Sequence, residues 1–154
     1  MMHSVKAQEV LNEMRLNTTI LNSHNKLKNN NLNRSILSDT LTIPFIDDFS
    51  YESYYPSASY WVDSQAFVNR TLYINAPTIG VATLDGLNQN GTPYDNISYA
   101  YGGADTLTSK KINISYYPTD SISLSFFFAS KGLGDAPDDE DSLALLNTFD
   151  DSAQ

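Results

Sequence analysis

The chain has 154 residues, with nine Lys and Arg against 18 Asp and Glu, a formal charge of −9 and no cysteine. That length fits one modest domain, and the acidic balance, with no basic stripe, excludes nucleic acid as a partner. The lack of cysteine excludes a disulfide framework, a thiolate zinc site, an iron–sulfur cluster and a cysteine nucleophile.

At the amino terminus, Val5-Lys6-Ala7 followed by Gln8 places small residues at the spacing a signal peptidase accepts, although no apolar core precedes them. Residues 1–7 are read as a remnant of a signal peptide, which implies a secreted chain. Residues 8–42 form a leader. Residues 1–42 contain no aromatic residue, hold eight Asn and carry a net charge of +2, whereas residues 43–154 carry −11 and all 18 aromatics. Val10, Leu11 and Met14 have helical spacing, so a short helix is expected around residues 8–16. Residues 17–42 have too little apolar area to offset the entropy of ordering and are expected to be mobile and to pack little. Nowhere does an apolar run of about 18 residues occur, so no membrane span is expected.

Residues 43–154 are expected to form one β-sandwich module. Residues 66–75 mix β-branched and aromatic side chains and stop before Ala76-Pro77. Residues 78–84, with Ile79, Val81 and Thr83 opposite Gly80, Ala82 and Leu84, suggest a strand buried on both faces. Asp85-Gly86, Asn90-Gly91 and Pro93 mark a loop. Shorter strands are expected at 97–101 and around Ile112 and Ile114. The clearest alternation lies in 121–129, where Ile122, Leu124, Phe126 and Phe128 share one face, opposite Ser121, Ser123, Ser125 and Phe127. A final strand is expected at 143–149. Strands at intervals of about ten residues with little helix give the fold class: all-β, an antiparallel two-sheet sandwich of the jelly-roll, concanavalin-like kind. Six or seven strands fall short of the eight of a full jelly roll, so the sandwich reads as incomplete at its carboxy terminus, with an open edge available for self-association.

Tests for catalysis fail. Both histidines, His3 and His24, lie in the leader, which leaves the sandwich without an imidazole for a Ser-His-Asp or zinc site. Glu occurs beyond the leader only at 52 and 140, and Gly132-x-Gly134 lacks both the third glycine and the helix of a phosphate loop. No enzyme is expected and no cofactor is required.

Two constellations survive. Asp135, Asp138, Asp139, Glu140 and Asp141 crowd seven positions, and Asp47-Asp48 opens the first strand region. Calcium takes six to eight hard oxygen ligands, so Asp47, Asp48, Asp135, Asp138, Asp139 and Asp141 are candidate Ca2+ ligands; a solvated acidic loop is the alternative. Tyr51, Tyr54 and Tyr55 lie in a Pro- and Ser-containing loop, where flat rings with polar tips suit sugar stacking or a protein interface. Trp61 is expected in the core.

One longer pattern adds a family. Ile43-Pro44-Phe45-Ile46-Asp47-Asp48-Phe49-Ser50-Tyr51, Trp61-Val62-Asp63, Pro77 to Leu87, Ala104-Asp105-Thr106-Leu107-Thr108-Ser109 and Lys131 to Pro137, taken in order over about residues 43–146, resemble large cell-surface proteins of Bacteroidota. The resemblance implies export through the type IX secretion system, an association with gliding motility or adhesion, and a lectin-like or MAM-like jelly roll. It also gives meaning to Asp39-Thr40-Leu41, which resembles the O-glycosylation acceptor pattern of such exported proteins, with Thr40 as the acceptor. The expected function is a non-catalytic adhesion or glycan-binding module on the outer cell surface, with surface glycans or other cell-surface proteins as partners. The alternatives are a structural or docking segment without a small ligand, and an accessory module of a hydrolase.

Overall fold

The computed structural model describes residues 16–27, 40–94, 102–115, 121–134, 136–139 and 141–148. Within them the chain runs through α1 (Thr18–Leu27), β1 (Thr40–Leu41), β2 (Phe67–Asn69), β3 (Val81–Thr83) and β4 (Lys111–Ile112). Strand and irregular chain therefore dominate, as an all-β reading requires. The antiparallel pairing is β2 with β3, in the register Phe67↔Thr83, Val68↔Ala82 and Asn69↔Val81. By contrast β1 and β4 pair in parallel, a departure from the expected antiparallel arrangement.

Among the described residues, the β2–β3 unit and the residue before it hold the longest buried run. Ala66, Phe67 and Val68 are buried, together with the polar Asn69. A buried amide needs partners for all its groups, and Asn69 has them. Its Nδ2 donates to Thr83 Oγ1 at 2.7 Å and to the Phe67 carbonyl at 3.2 Å. Its Oδ1 accepts from the Thr71 and Leu72 amides at 3.2 and 2.9 Å. One side chain thus links both strands to the turn that follows β2.

The described residues 16–27 of the leader are more ordered than their composition suggests. The expected helix at 8–16 falls largely outside the described residues, while 17–27, expected to be mobile, contains α1. Asn17 is its cap: Oδ1 accepts from the Ile20 amide at 3.2 Å, and the Asn17 carbonyl accepts from Leu21 at 3.1 Å. The same residue docks the helix, since its amide donates to the Gly91 carbonyl at 3.0 Å and its Nδ2 to Asp85 Oδ2 at 3.3 Å. Ile20 is only 2% exposed. Close approach explains Gly91, which has φ +75° and where a Cβ would lie 2.8 Å from the Asn17 carbonyl oxygen. An Asn17→Ala chain loses the cap and the bond to Asp85 together, keeps the main-chain bond to Gly91, and should be about 1–2 kcal/mol less stable, read as a lower thermal midpoint.

The carboxy-terminal third overturns another expectation. Residues 121–129 form no strand; Leu124, Phe126 and Phe128, expected in the core, are 64%, 61% and 62% exposed. Residues 143–148 are likewise irregular and exposed. Ile79 is exposed and Val81 half-buried, so 78–84 is not buried on both faces. Alternation selects a face, but a strand forms only where its backbone finds a neighbour and its side chains find a covering layer. The expected strand at 97–101 lies outside the described residues.

Candidate functional site

Asp47 is the centre of the first cluster. Rather than opening a strand, Asp47-Asp48 forms a turn: Asp47 Oδ1 accepts from the Phe49 amide at 2.9 Å and Asp48 Oδ1 from the Ser50 amide at 3.1 Å. Short polar side chains that bond the backbone two residues on compete with strand pairing, which is why this segment bends. The bend puts Phe49 at φ 52° and stacks its ring on Trp61, with centroids 5.9 Å apart. Trp61 Nε1 donates to Asp47 Oδ2 at 2.7 Å, so the indole is half-buried and tied at its polar edge, not sunk in the core as expected.

Tyr51 belongs to this frame. Its hydroxyl donates to Asp47 Oδ2 at 3.4 Å and accepts from the Ser57 amide at 2.9 Å. Burial, with a smaller contribution from the Asp47 charge, pushes the phenol up to about 12. Asp48 is held below the ordinary carboxylate value by its hydrogen bonds from Ser50.

The other two tyrosines point to different roles. Tyr55 donates its hydroxyl to the Gln89 carbonyl at 3.2 Å, so its polar tip braces the loop. Tyr54 is 41% exposed, and its ring tilts against buried Phe67 at 6.0 Å. Its carbonyl accepts from the Val68 amide at 3.0 Å, which fastens the loop to β2. Of the three candidates, Tyr54 alone combines a solvent-facing ring with a fixed backbone and a hydroxyl that makes no hydrogen bond among the described residues. Thr40 lies in β1, exposed, beside Lys111 of β4.

Among the described residues, the acidic candidates do not assemble into one centre. Asp138 and Asp141 close a turn on each other: the Asp138 amide donates to Asp141 Oδ2 at 2.9 Å, and the Asp141 amide to the Asp138 carbonyl at 3.0 Å. Asp139 is exposed in the same turn, and Asp135 and Glu140 lie outside the described residues. Among the described residues, no group of three or more His, Cys, Asp or Glu side chains is placed to hold a metal ion.

A second carboxylate cluster escaped the sequence reading. Asp105 Oδ1 accepts from the Tyr94 hydroxyl at 2.7 Å and Oδ2 from the Gly86 amide at 2.8 Å. Asp85 accepts from the Leu87 amide at 3.1 Å as well as from Asn17. Asp63 Oδ2 accepts from the Thr108 amide at 2.9 Å, and Thr106 Oγ1 lies 2.8 Å from that same oxygen. These contacts join residue 17, the 85–94 loop, residue 63 and the 105–108 segment. Asp63, Asp85 and Asp105 stand isolated in sequence, and only Asp85-Gly86 carried a turn signal.

Desolvation raises both Asp85 and Asp105 above the ordinary 3.8, opposed by their hydrogen bonds and, at Asp85, reinforced by the Asp105 charge. A carboxyl with a raised folded value binds more protons folded than unfolded between 3.8 and that value. Stability should therefore rise as pH falls from neutral into the window above 3.8, and the −9 net charge, relaxing there, acts in the same direction. Below 3.8 these two groups add nothing further, and the contribution of Asp48, whose value is lowered, is lost. Thermal midpoints measured between pH 7 and pH 3 should pass through a mildly acidic maximum. Asp85→Asn with Asp105→Asn should flatten the rise.

No protein-family model, curated protein or solved structure matches this chain.

Proposed function

We propose that this chain is a non-catalytic adhesion or glycan-binding module of a secreted bacterial surface protein, built as an all-β, concanavalin-like sandwich. The observation that supports the reading is Tyr54. A sugar's apolar face stacks on an aromatic ring at little entropic cost when the ring is already held. Tyr54 meets that condition through its tilt on Phe67 and its carbonyl bond to Val68. Backbone groups and side chains of the same loop, among them Ser53 and Glu52, are exposed around it and can accept or donate to hydroxyls. The reading involves no proton transfer and no nucleophile.

The test is retention of the purified chain on immobilised bacterial and host polysaccharides. Saturable retention by at least one of them, competed by the free glycan, is the expected result; failure on the whole panel would remove the glycan reading. Calcium joins the proposal only through the Asp138–Asp141 turn. A melting shift larger with Ca2+ than with Mg2+ at matched ionic strength, and removed by Asp141→Asn, would add the ion, whereas equal shifts would leave it out.

A second reading, a docking segment with no small ligand, is favoured by a different observation. Large apolar side chains are exposed over 121–129 and again at Leu143, Leu145 and Leu146. Contiguous apolar surface of this kind marks contact with another polypeptide.

A further inference from the structure

We infer that residues 121–129 pair with the same segment of a second copy of this chain, forming a two-fold antiparallel ladder centred on Ser125. Among the described residues, no backbone group in this stretch has a hydrogen-bond partner, so a nine-residue segment leaves its backbone donors and acceptors open on both sides. Such a segment is a template for β-pairing.

The identity of the occupant follows from register and charge. In an antiparallel pair of identical strands centred on Ser125, Ile122 faces Phe128 and Leu124 faces Phe126, so each aliphatic residue meets an aromatic ring on one face. A shift of two residues either way preserves the apolar face but breaks these matches. One shift sets Phe126 against itself and Ile122 against Ser130, and the other sets Phe128 against Asp120. The opposite face carries Ser121, Ser123 and Ser125, which solvent tolerates, and one ring, Phe127. The segment holds no charge in a chain of net −9, so two copies meet where neither repels the other.

Area points the same way. Phe126 and Phe128, at 61% and 62% exposure, offer roughly 250 Å² of ring surface per copy on the paired face. With Ile122 and Leu124 on the same face, the patch reaches roughly 450 Å² per copy, the size of a weak, concentration-dependent interface. A two-fold pair uses the same patch on both copies.

The absence of native cysteine makes the register directly testable. In the proposed ladder Ser125 faces Ser125 of the second copy, with Cβ atoms about 5 Å apart. Ser123 faces Phe127, so the two Ser123 residues lie about 14 Å apart along the strands, beyond disulfide reach. Full-length Ser125→Cys, oxidised mildly, should give about ten-fold more cross-linked dimer than Ser123→Cys. The parent chain should sediment as a concentration-dependent dimer that Leu124→Lys converts to monomer. A parent chain that stays monomeric throughout, or Ser123→Cys cross-linking as readily as Ser125→Cys, would overturn the inference. Both cysteine variants change a solvent-facing serine by one atom, and unchanged melting of each relative to the parent separates a register result from a folding failure.

Discussion

Gly80→Ala is expected to destabilise the chain by about 3 kcal/mol or more. The new Cβ would stand 2.0 Å from the Phe49 carbonyl oxygen and 2.7 Å from its carbon, both backbone atoms that no rotamer change can move. The contact cannot relax outward without cost, because the Gly80 amide donates to the Asp48 carbonyl at 3.1 Å and the Thr78 hydroxyl to the Gly80 carbonyl at 2.8 Å. Displacing Phe49 also disturbs its stack on Trp61. For a chain of this size the loss corresponds to a fall of roughly 6–12 °C in thermal midpoint. Gly102→Ala is the control, since a Cβ there meets nothing within 4 Å. Equal midpoints for the two variants would show that β3 and the 47–49 turn are not in contact.

Asp47→Ala should cost about 2–3 kcal/mol, because it leaves the Trp61 indole N–H and the Phe49 amide without their acceptor in a half-buried site. The Tyr51 hydroxyl loses a longer bond at the same time. Asp47→Asn keeps one acceptor oxygen and should fall between the parent and the alanine variant. Trp61 is the only tryptophan, so its emission reports the site without interference. A red shift in the folded state, together with the lower midpoint, is expected for Asp47→Ala; an unchanged spectrum would separate the indole from the carboxylate.

Local chemistry decides how much of this was legible beforehand. The β-branched and aromatic run around Phe67–Asn69 and the alternation around Val81–Thr83 fell inside the expected strands, because side chains of that kind suit a pleated surface wherever a partner strand lies within reach. Residues 121–129 carried the stronger alternation but form no strand, since periodicity speaks to the face of a strand and not to its neighbour. In the leader, the abundance of Asn read as disorder, whereas the position of one Asn mattered more than the number: Asn17 caps α1 and ties it to Asp85 and Gly91. Density misled in the same way for the carboxylates. The crowded 135–141 run drew attention, while the carboxylates joining distant segments are single residues, Asp47, Asp63, Asp85 and Asp105, whose partners lie 11 to 68 positions away.

Tyr51 and Tyr54 lie three residues apart, and the proposed function assigns them opposite roles. Tyr51 is a strut, bonded at its hydroxyl to Asp47 and Ser57, and Tyr54 is the presented face. The most direct measurement is a calorimetric titration of a retained glycan into the parent, Tyr54→Ala and Tyr51→Phe chains, with the thermal midpoint of each recorded alongside. Tyr54→Ala should weaken binding at least about ten-fold, as loss of a stacking worth ~1.5 kcal/mol requires, while its midpoint moves little. Tyr51→Phe should lower the midpoint and leave affinity within about two-fold of the parent. Undiminished affinity in Tyr54→Ala, with a loss confined to Tyr51→Phe, would contradict the assignment of Tyr54 as the binding face.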